Sequence, residues 1–177
     1  MLNSYVNAVR AYPILMAMIQ FAILGTLGDV VAKWIIKGKV HRPFRLAELA
    51  WKALVWMVLA VLIKYAFVGT KGFIDALVAH HYLPALSRVG RAFAVSTAMN
   101  LQFGFFMVIM HRVLDNVVMR PKNWAGLDKG LISLCWFWIP AHTVTFSLPP
   151  DFQIGLAALW SVALGVILGL FNRPKSA

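Results

Sequence analysis

Five long apolar runs constrain this chain more than any other feature of it. They cover residues 14–36, 46–68, 92–110, 130–150 and 152–171, and the last three contain no charged residue. A helix needs about 20 mainly apolar residues to cross a hydrocarbon core of about 30 Å. One such run fits the core of a soluble domain. Five in 177 residues leave too little polar surface to cover them in water. The runs are continuous rather than alternating, which excludes the strand pattern of a β-barrel. The composition agrees, with 61% hydrophobic and 13% charged residues, against about 25% charged in soluble domains. The expected fold is all-α: a single integral membrane domain over residues 1–177, a polytopic helix bundle of four to five spans.

The net charge is +11, from 17 Lys+Arg against 6 Asp+Glu. These charges lie between the apolar runs and not on one basic face, so they read as juxtamembrane residues and no nucleic-acid partner is expected. If all five runs span, one side carries Arg10, Lys64, Lys71, Arg88 and Arg91, a total of 5. The other carries Lys33, Lys37, Lys39, Arg42, Arg45, Lys52, Arg112, Arg120, Lys122, Lys129, Arg173 and Lys175, a total of 12. The richer side is expected to face the cytoplasm or matrix. No small-residue cleavage site follows the first run, which therefore reads as a retained helix and not a signal peptide.

Shorter features refine this outline. Residues 72–86 mix Phe73, Ile74, Leu77, Val78 and Leu83 with Asp75, His80 and His81. They read as a short interfacial helix ending near Pro84. Pro149, Pro150 and Asp151 predict a tight hairpin between the last two runs, and Pro140 predicts a kink. Trp34, Trp51 and Trp124 fall near helix ends and suit interfacial anchors. Cys135 stands alone in an apolar run and reads as a buried thiol.

Polar residues inside apolar runs are the candidates for function. Asp29 and Lys33 stand four apart on one helical face and are placed to pair. Deep in the third and fourth runs lie Ser96, Thr97, Asn100 and Gln102, then His142, Thr143 and Thr145. Such residues serve either interhelical hydrogen bonds or a polar conduit. Asp29, Lys33, Asn100, Gln102, His142 and Thr143 are the candidates for a pore lining or polar network. Gly25 and Gly28, and Ala157, Ser161, Gly165 and Gly169 at four-residue spacing, form smooth faces for helix packing, within the chain or between copies. No acidic or cysteine partner is apparent at ligand spacing to the five histidines, so no metal site or cofactor is expected. No nucleophile constellation or phosphate-binding loop appears either, so an enzyme is not expected. The partners expected are the lipid bilayer and a possible second copy.

Two groups of motifs carry a family resemblance. Tyr5, Tyr12-Pro13 and Gly25-Thr26-Leu27-Gly28-Asp29 open the chain. Asn123-Trp124, Trp138-Ile139-Pro140, Phe146 and Pro149-Pro150 follow in its second half. Together they resemble a remote member of the Mpv-seventeen family, which includes the twenty-two-kilodalton peroxisomal membrane protein. The resemblance spans about half of the chain; Lys33 stands where that family has glutamine, and Ile139 interrupts its Trp-Pro step. It implies a channel-like pore or a modulator of small-solute or ion permeability. The membrane it implies is the mitochondrial inner or peroxisomal membrane in a eukaryote, or the plasma membrane in a bacterium. The alternative is a non-conducting structural or assembly subunit packing through its small-residue faces.

Overall fold

The computed structural model describes residues 2–122, 124 and 126–172. Among them there are six helices and no strand. These are α1 (Leu2–Ala11), α2 (Pro13–Lys37), α3 (Leu46–Ala79), α4 (Arg88–Val118), α5 (127–147) and α6 (Pro150–Phe171). Four of them, α2, α3, α4 and α6, are long and apolar enough to cross a membrane. The protein is an all-α membrane helix bundle. Asn123, Arg173 and Lys175, named in the sequence analysis, lie outside the described residues.

Local sequence sets the helix ends. Pro13 opens α2 at a position where its missing N–H costs nothing, and Gly38 closes it in the left-handed conformation (φ 68°). Glu48 accepts the Arg45 backbone N–H at 2.7 Å at the start of α3. Ser87 accepts the Gly90 N–H at 3.1 Å at the start of α4. Pro150 opens α6 after a link of two residues, Leu148 and Pro149, which is the tight hairpin the proline pair predicts.

The five apolar runs map onto α2 to α6, with one difference. Residues 72–79 are not a separate interfacial helix but the continuation of α3. Gly69 and Gly72 stand in open space and neither stops a helix alone, while no proline intervenes before Pro84. The stop is a Schellman turn: the Tyr82 N–H donates to Leu77 O at 2.9 Å, and the His81 N–H to Val78 O at 3.1 Å, with His81 at φ 62°. Over 34 residues α3 is about 51 Å long, well beyond an apolar core of about 30 Å. Its last turns therefore stand outside that core, where Arg91 grips Asp75 through two hydrogen bonds. The short helix missed in the sequence is α1. It buries Val9 and ties its Arg10 guanidinium to Asp151 at 2.7 Å.

Side-chain pairs fix the two ends of the bundle. At one end Lys129 of α5 donates to Asn172, just past α6. At the other, Arg88 of α4 donates to the Ser147 carbonyl at the end of α5. So α5 runs the length of the bundle between α4 and α6, although it is not among the four long apolar helices. Pro140 is absorbed without a break, because residues Leu134–Trp138 form a π-helical turn in which the Ile139 N–H reaches Leu134 O. The core holds Phe21, Ala60, Phe67, Val95, Met99, Phe146, Ile154 and Ala157. Leu15, Ile23, Val58, Ile109, Leu159 and Leu170 are exposed on the outside, as lipid-facing positions are. Cys135 is also exposed on α5 and is not the buried thiol expected from its neighbours.

The small-residue faces pack on each other within the chain. A Cβ on Gly28 would lie 2.6 Å from the Ser161 carbonyl oxygen, one on Gly165 would collide with the Gly28 carbonyl, and one on Gly169 would lie 3.1 Å from Ala32 O. Ala157 is fully packed in the same interface region. Gly25 faces α3 instead, where the Trp56 indole fills the space a side chain would need. Close backbone approach of this kind is how helices associate in lipid, where no water is expelled. Gly165→Ala is expected to force α2 and α6 apart and to lower stability by about 1–3 kcal/mol. A denaturant titration of the detergent-solubilised protein against wild type measures it.

Candidate functional site

The site begins with Lys52, a lysine buried near one end of the bundle, where a charge is kept only if it is paired. Lys52 lies six residues into α3, roughly 9 Å from its start. Asp29 approaches it from the second half of α2 and Asp115 from the last turn of α4. Because α3 runs antiparallel to both, all three reach the same end of the bundle. Lys52 Nζ donates to Asp115 Oδ2 at 2.7 Å and to Asp29 Oδ2 at 3.0 Å. Its side chain is only 5% exposed, and the Phe44 ring covers the ammonium at 5.0 Å. Trp56, one turn further along α3, adds an indole N–H to Asp29 Oδ2 at 3.2 Å. His111 stacks beside Trp56 with ring centroids 4.5 Å apart, and its Nε2 lies 3.8 Å from Asp115 Oδ2. Trp51 donates to Leu114 O at 2.8 Å and fastens α3 to α4 at the same level.

A second polar node lies nearer the middle of the bundle. Asn100 Nδ2 reaches the Ser96 carbonyl at 2.8 Å and His142 Nδ1 at 3.2 Å. Ser96 donates to the Ile139 carbonyl at 2.7 Å, an oxygen that also accepts from the Thr143 hydroxyl. These residues sit at two facing π-helical turns, Asn100–Gly104 in α4 and Leu134–Trp138 in α5. Gly104 allows the close approach, since a Cβ there would stand 2.7 Å from Leu134. A π turn inserts a residue and shifts which side chains face inward, and such turns recur at functional sites.

A cavity of about 270 Å³ joins the two nodes. Asp29, His111, Arg112 and Asp115 line one end, and Asn100 and His142 the other. Phe21, Trp56, Phe103, Met107, Leu134 and Leu164 form much of the wall between. From Asp115 to Asn100 the α4 axis covers roughly 22 Å. Three polar atoms of cavity-lining residues have neither solvent nor a hydrogen-bond partner among the described residues: His111 Nε2, Asp115 Oδ1 and Ser161 Oγ. Buried polar atoms are nearly always satisfied, so a water, ion or polar solute in the cavity is the natural complement to them. Asp29, His111 and Asp115 also bring ligand atoms within 4.8 Å of one another. The Lys52 ammonium already stands between the two carboxylates, so this group holds a tethered cation and a metal ion would have to displace it.

The residues singled out from the sequence divide. Asp29, Asn100 and His142 line the cavity. Asp29 pairs with Lys52 and not with Lys33, which is exposed and unpaired among the described residues. Lys33 and Asp29 share a helix face, but the antiparallel neighbour brings a cation closer. Gln102 is exposed on the outer surface of α4, turned away from the cavity. Thr143 lies outside the cavity lining and donates to the Ile139 carbonyl one turn back at 2.7 Å. Lys52, His111, Arg112 and Asp115 were missed as site residues. His111 and Asp115 stand four apart on one helix and so share a face, a spacing the sequence displays. No family model, curated protein or solved structure matches this chain.

Removing the central cation tests the cluster. Lys52→Met leaves two neighbouring carboxylates without their shared ammonium and is expected to destabilise the protein by about 3–5 kcal/mol. Neutralising both acids in the same chain, with Asp29→Asn and Asp115→Asn, should restore most of that loss. Thermal unfolding of the single and triple variants in detergent gives the comparison.

Proposed function

We propose that this multi-pass membrane protein is channel-like and admits a small polar solute or ion along the cavity between α2, α3, α4, α5 and α6. The cavity itself carries the reading: it leads from an ionic cluster at one end of the bundle to the Asn100–His142 node, with unpartnered polar atoms along it. A run of otherwise lipid-matched helices keeps such groups inward only where they have a polar partner. Beyond His142 the Phe67 and Phe146 rings meet at 4.8 Å and close the path. Apolar constrictions of this kind gate passage, so solute crosses when these rings part. The protein thereby regulates permeation rather than forming a standing hole.

The orientation follows from the basic residues. Lys37, Arg42, Arg120, Lys122 and Lys129 gather at the end where the Lys52 cluster opens. By the positive-inside rule that mouth faces the cytoplasm or matrix. The likeness of the chain's ends to the Mpv-seventeen family supports the same permeability role. The alternative of a non-conducting assembly subunit would need a contact surface other than the Ala157–Gly169 face, which α2 already covers.

Flux through sealed vesicles tests the proposal. Purified protein in liposomes should release small ions or polar solutes faster than protein-free vesicles. Asp29→Asn should change the rate by several-fold while the helical content is retained, and Phe146→Ala should raise it. Wild-type vesicles as tight as empty ones, under an applied voltage and across several ions and solutes, would sink the channel reading.

A further inference from the structure

One polar side chain of α4 lies on the wrong side of the helix for the cavity. Gln102 belongs to the π turn Asn100–Gly104, and its neighbour Asn100 is buried while Gln102 is exposed. It has no hydrogen-bond partner among the described residues. It also sits at the middle of the apolar slab. Arg91 and Arg112 bracket it along α4, eleven and ten residues away, roughly 15 Å on either side, which is half of a core of about 30 Å. The side chain is too short to reach either interface. Around it Leu101, Phe105, Phe106 and Ile109 are all exposed.

A primary amide offers two donors and one acceptor, and lipid tails satisfy neither. The amide therefore calls for a hydrogen-bonding partner within the membrane. The groups on hand match each other: the carbonyl of one Gln102 accepts from the amino group of another, and a two-fold axis makes both bonds at once. A two-fold axis along the membrane normal keeps both copies in the same orientation, as a bilayer requires. The flanking aromatic and aliphatic side chains then supply the packing around the paired amides. We propose that two copies of this chain associate through α4, face to face, with Gln102 of each hydrogen-bonded to Gln102 of its partner. This interface is separate from the cavity and from the small-residue faces, which are engaged inside each copy. The proposal does not depend on whether the protein conducts.

The experiment reads association, not flux. Donor- and acceptor-labelled wild-type protein in phosphatidylcholine vesicles should show energy transfer that rises with the protein-to-lipid ratio. Gln102→Leu should weaken the association about tenfold, with unchanged circular dichroism and melting temperature. Gln102→Asn, which keeps the amide, should retain most of it. A wild type that stays monomeric at every density overturns the proposal. So does a Gln102→Leu variant that associates as wild type does, or a Gln102→Asn variant that loses association as fully as Gln102→Leu.

Discussion

Hydrocarbon gives helices no reason to come together by expelling water, so everything in this bundle depends on backbones that touch. The contact of α2 with α6 provides that. Gly28 and Gly165 meet with no side chain between them, and Gly169 lies against Ala32. Dispersion over such a seam replaces the hydrophobic drive that organises a soluble core. Beside this seam α3 packs on α2 through Trp56, in the space left by Gly25, and α4 and α5 close the remaining side. The spans are apolar outside as well as in the core, and their buried polar groups gather at a few paired positions, as an apolar solvent requires.

The ionic cluster and the cavity are consequences of this packing. Lys52 is stable at its depth because two carboxylates from two other helices surround it. Such a pairing contributes little net energy in a low-dielectric setting, since desolvation offsets much of the attraction. What it supplies is registry: α2, α3 and α4 can share one end only in the arrangement that satisfies all three charges. The π turns in α4 and α5 meet closely at Gly104 and Leu134, and they change which side chains face the cavity.

Much of the fold was legible in the sequence because lipid imposes a length and a hydropathy that residues announce directly. The five apolar runs and the hairpin at Pro149-Pro150 appear where the pattern placed them. What was not legible depended on neighbours in space. The extension of α3 to Ala79 turned on a left-handed His81, a conformation that composition does not signal. Asp29 looked toward Lys33 because both share a helix, whereas the nearer cation, Lys52, stands on the antiparallel helix. Asn100 and Gln102 stand two residues apart, which turns them to opposite sides of a helix, and only packing decides which of the two faces inward. Of the candidate site, the acidic and amide members were visible, and the cluster that gives them partners was not.

The two-residue link between α5 and α6 bears on how the chain enters its membrane during synthesis. The α5 segment carries Pro140, His142 and three threonine or serine side chains in its second half, and it alone among the five long segments falls short of the four apolar helices. A stretch of that kind partitions poorly from the insertion machinery by itself. Joined so tightly to the far oilier α6, it is carried in as half of a preformed pair, and its polar groups find α4 and α6 before they meet lipid. The hairpin of α5 and α6 is in this sense one unit for insertion.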